Sequence, residues 1–192
     1  MTLSWYGQGC FRIEAKGTTL ALDPYPKGVG LTPPRFRADI VLGGEGMDEV
    51  GGMVIRDPGE YEVKEIAIQG LAKTKLFRVE MDEIRLGHLG PFPNRKLSDE
   101  EIEFFGEVDV LFLPVGGNGM LDAAGAEKVI NQVEPRLAIP MYYKIPGLAI
   151  KLDPVGDFLK EMGSNGAAEE RTQIKKKDLP EGETEVRVLK QA

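Results

Sequence analysis

Glycine and proline cut the first third of the chain into short runs of β-forming residues, too short and too closely spaced for a helical bundle. Leu3–Tyr6, Cys10–Ala15, Thr18–Leu22 and Asp39–Leu42 read as strands bounded by turn residues. Glu14–Thr18 reads as a hairpin turn. Pro24, Pro26, Pro33 and Pro34 keep Asp23–Pro34 out of any regular element, so that stretch reads as an ordered loop. Gly43–Gly52 then carries five glycines in ten residues. Val54–Ile55, Tyr61–Val63, Ile66–Leu71, Leu76–Glu80 and Ile84–Leu86 continue the strand pattern.

The second half alternates. Ser98 and Glu101 form a capping box that opens a helix reaching to about Phe105. Val108–Pro114 and Leu137–Met141 are continuous apolar runs, the signature of strands covered on both faces. Between them Asp122 can cap a helix whose Ala126, Val129, Ile130 and Val133 share one face. Pro154–Met162 reads as a third helix stopped by Gly163. Glu185–Leu189 reads as a last strand. Early strands followed by strand–helix alternation predict an α/β protein with a large mixed sheet system, and no repeat or linker divides residues 1–192 into more than one domain.

Charge and residue counts narrow the chemistry. Thirty-one carboxylates against 24 cations give a net charge of −7, which argues against nucleic acid as a partner. No apolar run approaches the ~20 residues of a membrane span, and Met1–Arg12 does not resemble a signal peptide. A single cysteine fits a reducing, cytoplasmic setting. The single histidine, His88, is more restrictive still, because catalytic zinc sites depend on clusters of imidazoles.

Several motifs carry a family likeness. Trp5-Tyr6-Gly7-Gln8-Gly9-Cys10-Phe11-Arg12-Ile13-Glu14, Leu22-Asp23-Pro24 and Ala38–Leu42 resemble the opening of a metallo-β-lactamase-fold hydrolase. The branch they resemble is the small predicted zinc-dependent hydrolases related to ascorbate-phosphate lactonases. Asp57–Val63, His88-Leu89-Gly90, Leu97–Glu101, Leu113–Gly117 and Ile139–Lys144 extend the resemblance over nearly the whole chain. It implies a four-layer αββα sandwich, two mixed β-sheets with helices outside and a metal site at one rim.

The metal-site positions depart from that family. Its His-x-His-x-Asp-His signature corresponds here to Glu45, Met47, Glu49 and Val50 in the ligand slots. The family's bridging Asp corresponds to Pro91 and its final ligand His to Tyr142, while a rim His corresponds to Gln8. The family's longer segment before Leu76 is cut to Ala72–Lys75. Met is a poor zinc ligand and Val is none, so the resemblance implies a degenerate site without zinc. Without the ion, water is not activated at neutral pH. The expectation is therefore a protein with no cofactor and no hydrolase activity, acting as a binding or partner subunit for a small molecule, a protein or a second copy of itself. The alternative is a metal-dependent hydrolase of a phosphoester or lactone, with Mg²⁺ or Mn²⁺ at a remodelled carboxylate site.

The remaining candidates each carry two readings. Glu45, Asp48 and Glu49 form either a hard-cation site or a solvated loop. Tyr142 either donates a hydrogen bond into the old cavity or fills it with its ring. His88 reads as a structural histidine, Cys10 as an inert core thiol, and Asp23 and Glu60 as strand-end and turn residues bordering the pocket. Gly43-Gly44 and Gly116–Gly119 read as turns rather than phosphate cradles. Lys175–Asp178 reads as a solvated charge run.

Overall fold

The computed structural model describes residues 1–192. Thirteen strands form two mixed sheets. In the first sheet β1 (Thr2–Gly7), β2 (Cys10–Ala15) and β3 (Thr18–Leu22) run antiparallel, and β4 (Ile40–Leu42) and β5 (Met53–Ile55) continue parallel to β3. The two residues Thr172–Gln173 (β12) add an edge strand to β1 that the sequence pattern is too short to reveal.

In the second sheet β6 (Gly59–Val63), β7 (Ile66–Gly70), β8 (Phe77–Met81) and β9 (Ile84–His88) form an antiparallel meander. β10 (Val110–Pro114), β11 (Leu137–Met141) and β13 (Glu185–Val186) then extend it in parallel from β9. Every residue of β10 and β11 is buried, as their unbroken apolar runs require. The last strand is shorter than the pattern Glu185–Leu189 suggests. After Arg187, whose N–H still bonds the Ala138 carbonyl, the chain leaves β11, and Val188 and Lys190 bond instead to Glu169.

Alternation along the strands sorts side chains between layers. Leu20, Leu22, Ile40 and Leu42 enter a core cluster of 43 residues shared by both sheets. Their neighbours Ala21 and Val41 face the other way and meet Met47 and Val50 of α1 (Met47–Val50), a single turn lying outside the first sheet. On the second sheet α2 (Asp99–Phe105) starts with the full capping box, and α3 (Ala123–Val133) starts with the Asp122 carboxylate bonded to the Gly125 N–H. α3 packs against both α2 and α4 (Val155–Glu161). The result is the expected αββα order. No helix is long and apolar enough to cross a membrane.

One rim is closed by charge. Buried Asp109 accepts two hydrogen bonds from the Lys176 ammonium, at 2.6 and 2.7 Å, and one from the Arg85 N–H. Lys175–Asp178 is thus not a merely solvated run: Lys176 reaches across 67 residues of sequence to neutralise a buried carboxylate. The opposite rim gathers the ends of β3, β4, β9, β10 and β11. Ligands bind outside the carboxyl ends of parallel strands in open α/β sheets.

Candidate functional site

Leu22, Leu42, His88 and Met141 end their strands at this rim, and the residues that follow them turn into a cleft of about 270 Å³. Asp23 follows β3, Gly44 and Glu45 follow β4, Pro91 follows β9 and Tyr142 follows β11, and all line the cleft. Gln8 joins them from the β1–β2 turn, and Lys75 from the short loop before β8. The shortened Ala72–Lys75 segment therefore brings a cation to the rim, which composition and spacing alone did not flag.

Three of these residues have left-handed backbones: Gln8 at φ 49°, Asp23 at φ 40° and Tyr142 at φ 49°. Asn and Asp tolerate this region; a tyrosine there is uncommon and costs energy. The Tyr142 conformation is held by its N–H bonding to the Gln8 carbonyl and by its ring lying over Gly9. A methyl on Gly9 would sit 2.7 Å from the ring and 2.9 Å from its hydroxyl, so glycine is required beneath it. Strained residues of this kind cluster at functional sites, where surrounding structure holds them.

Asp23 is the electrostatic centre. It is 7% exposed, and its Oδ2 has no hydrogen-bond partner. Burial pushes its carboxyl above the ordinary range, while His88, Lys75 and the Gly44 N–H pull it back. A side chain on Gly43 would collide with Asp23 Oδ1, so this glycine gives the carboxylate its room. His88 is spent structurally. Its Nδ1 accepts the Gly90 N–H at 3.1 Å, leaving Nε2 to donate toward the Gly9 carbonyl at 3.3 Å. Burial holds the imidazole below its usual pKa, against the charge of Asp23 and the Gly9 contact. Burial, reinforced by Asp23, raises Cys10 well above the usual thiol range, which keeps it protonated. The Tyr142 phenol is also pushed far up, by burial and then by its acidic neighbours, Asp23 first, so it stays a hydrogen-bond donor.

The sequence candidates separate on this geometry. Gln8, Asp23, Glu45, Pro91 and Tyr142 border one cleft. Asp48 and Glu49 do not converge with Glu45: both are exposed on α1, and Glu49 lines a separate groove beside Lys27 and Arg37. Met47 and Val50 do not fill the cleft either, because one turn of helix aims them at Ala21 and Val41. Glu60 lies exposed on the edge strand β6, beside Gln69. Lys75 and Gly9 were missed, the first for want of any local motif and the second because only the tertiary approach requires it, while Gly43 was read only as a turn residue.

A histidine-rich zinc centre does not fit these donors. No three His, Cys, Asp or Glu side chains converge anywhere in the structure, and neither nitrogen of His88 is free. An oxygen-seeking divalent cation does fit. Such ions need only one or two protein carboxylates, water and substrate oxygens completing the shell. Asp23 supplies a buried oxygen with no other partner, and Glu45 borders the same cleft.

Comparison with known proteins places this geometry. Residues 2–142 match the family described as Beta-lactamase superfamily domain. A Thermotoga maritima protein described as a Zn-dependent hydrolase of the metallo-β-lactamase superfamily is 31% identical, with a TM-score of 0.85 over 98% of each chain. A UPF0173 protein of Pyrococcus furiosus is 28% identical over 200 residues, spanning 84% of this chain and 90% of that one. A UPF0173 metal-dependent hydrolase of Carboxydothermus hydrogenoformans is 40% identical over 83 residues, 43% of this chain and 34% of that one.

These names overturn two expectations. The reading as a non-enzymatic binding or partner subunit gives way to the metal-dependent hydrolase alternative, and the expectation of no cofactor falls with it. Physically, the error lay in equating loss of the histidine signature with loss of the site. The rim still holds a buried carboxylate oxygen without a hydrogen-bond partner, on a residue that lines the cleft.

Proposed function

This chain belongs to the β-lactamase superfamily domain family, and from that premise we propose that it is a metal-dependent ester hydrolase acting in the cleft around Asp23. The observation that carries the reading is the buried Asp23 Oδ2, which lacks any donor. An unpaired buried carboxylate oxygen costs about 1–3 kcal/mol or more, and a cation bound in the cleft offsets that cost.

Asp23 and Glu45 are the residues that would hold the cation. When bound, a divalent ion supplies Lewis acidity and makes water nucleophilic near neutral pH. The chain's own groups do the rest. Tyr142 keeps its proton and donates to an oxygen of the bound ester. Lys75 offsets negative charge at the cleft, opposite Asp23. His88 keeps the Gly9 and Gly90 backbones fixed beneath the site. In the net reaction the water oxygen bonds to the acyl carbon or phosphorus and the bond to the leaving oxygen breaks. That oxygen takes the water's proton.

The test is a chelated preparation reloaded with Mg²⁺, Mn²⁺ or Zn²⁺ and offered phosphoester and lactone substrates. Metal-stimulated turnover, with metal binding by calorimetry lost in Asp23→Asn, is the expected result. Calorimetric binding unchanged by Asp23→Asn, or no turnover with any of the three ions, refutes the reading.

A further inference from the structure

Charge is segregated along this chain. Residues 24–38 and 142–152, the loops that follow β3 and β11, carry Lys27, Arg35, Arg37, Lys144 and Lys151 and none of the 31 carboxylates. The two loops form one unit. The Ala149 N–H donates to the Val29 carbonyl at 2.9 Å, and a methyl on Gly30 would sit 2.1 Å from the Gly147 carbonyl oxygen. Leu31 and Ile145 turn inward onto Gly7, where an added methyl would meet them at 2.9 and 3.2 Å. Ile150 does not: it is 41% exposed, one of only two large apolar side chains the fold leaves in solvent. The cationic half has a firm floor, because Phe36 packs on Tyr6 with ring centroids 4.7 Å apart and the Arg12 guanidinium lies 5.7 Å from the Phe36 ring centre. Arg35 and Arg37, on either side of Phe36, line with Lys27 a groove of about 480 Å³ in which Glu49 is the one acid. Arg35 also lines a second groove beside Leu31 and Pro146, which joins the two loops into a continuous surface.

From this arrangement we propose that the paired loops are a docking surface for an anionic lipid bilayer, with the cations at the headgroups and Ile150 reaching past them. The proposal stands apart from the hydrolase reading. Each cation near an anionic leaflet gains about fivefold in affinity, so a cluster free of acids binds where single lysines do not. Charge alone would also suit an acidic protein, but the apolar groups favour lipid. A protein partner's anchor residue fills an apolar pocket. The cationic groove offers none, since Phe36 and two prolines are its only apolar lining. The apolar group here projects outward instead, and lysine and arginine stems can lie along it while their charged heads stay in the headgroup layer. The fixed contact between the loops spares the cost of ordering them on binding. Docking in this way turns the Asp23 cleft, which Val29 and Ile150 also line, toward the bilayer.

Cosedimentation of the full chain with vesicles tests the surface without any turnover. Vesicles of phosphatidylcholine alone are compared with vesicles in which about one-third of the lipid is phosphatidylglycerol. Binding to the anionic vesicles is expected to be at least about tenfold tighter than to the neutral ones and to be lost at high salt. Arg35→Glu with Arg37→Glu should weaken it at least about tenfold, and Ile150→Ser at least about threefold. Lys128→Glu with Lys160→Glu makes the same change in net charge at exposed positions on α3 and α4, and should bind within about threefold of the parent. Melting temperatures establish that each variant is folded. Equal binding to neutral vesicles, no loss in the Arg35–Arg37 variant, or an equal loss in the α3–α4 variant overturns the proposal. Soluble polyglutamate is the remaining arm. If the protein binds it as tightly as the anionic vesicles and Ile150→Ser changes neither, the surface belongs to an acidic protein and the lipid proposal fails.

Discussion

His88 Nε2 lies 3.8 Å from Asp23 Oδ2, with both side chains at most 7% exposed, yet no hydrogen bond joins them. The imidazole gives its proton to the Gly9 carbonyl instead, and the Gly90 N–H fixes the tautomer. The pair therefore places a neutral ring beside a buried carboxylate oxygen that has no hydrogen-bond partner.

Because His88 is the only histidine, its titration can be read directly in the stability of the chelated protein. Burial lowers its folded-state pKa, so as pH falls below about 6.5 the unfolded chain takes up a proton that the folded chain refuses. Stability should decline from about pH 6.5 downward and be flat above it. His88→Gln should flatten the limb between about pH 5.5 and 7 in urea-denaturation midpoints. An unchanged slope in that variant would exclude His88 as its source.

Asp23→Asn should separate stability from function. Asparagine accepts the left-handed backbone at φ 40°, so the substitution removes charge without forcing the chain. Burial raises the folded-state pKa of Asp23, so its cost to stability appears as pH rises through that raised value. The chelated variant should be more stable than the parent by about 1–2 kcal/mol at pH 7, with no gain below about pH 4. Metal-stimulated hydrolysis should drop at least 100-fold. A variant less stable at pH 7 would mean that the carboxylate is satisfied after all.

Gly9→Ala should disturb the site through Tyr142. The new methyl meets the ring at 2.7 Å, and the ring's position is constrained by a strained, hydrogen-bonded backbone. The expected cost is about 1–3 kcal/mol, with loss of activity. Adding Tyr142→Ala to Gly9→Ala should recover part of that stability, giving a coupling energy of at least about 0.5 kcal/mol in a double-mutant cycle. Strict additivity of the two changes would show that the ring and the glycine do not meet.

Glu101 should govern part of the acid limb. Its carboxylate accepts both Arg95 nitrogens and the Ser98 N–H while nearly buried. The Arg95 hydrogen bond is the main cause of its lowered pKa, with burial opposing and the Ser98 N–H assisting. That stabilisation is present above the ordinary carboxyl value near 4.5 and is lost as pH falls through the lowered one. Glu101→Gln should cost about 1–3 kcal/mol at pH 7, and the gap from the parent should close toward pH 3. A gap that stays constant with pH would assign the cost to packing alone.

Much of the fold was readable because its signals are local. Alternation marks β1–β3, unbroken apolar runs mark β10 and β11, and the Ser98–Glu101 box and Asp122 mark the starts of α2 and α3. Each depends only on residues within a turn or a strand. The two-residue strand β12 and the one-turn α1 fall below that threshold and form where tertiary partners supply the hydrogen bonds, while β13 was anticipated but drawn too long.

The site was legible only in outline. Sequence placed Gln8, Asp23, Glu45, Pro91 and Tyr142 near the rim and registered the missing imidazoles, but it grouped Asp48 and Glu49 with Glu45 and passed over Lys75. A one-turn helix aims neighbours in opposite directions, and no spacing rule links residues 8, 23, 75 and 142. By itself, then, the sequence determined the sheets, the capped helices and the absence of a histidine cluster, since those follow from near-neighbour spacing and counting. Only the tertiary structure decided that strand ends from both sheets would leave one carboxylate oxygen unpaired and bring Lys75 to the same rim. Burial and the approach of distant backbones, not local pattern, set which polar atoms are satisfied and which remain free for a ligand.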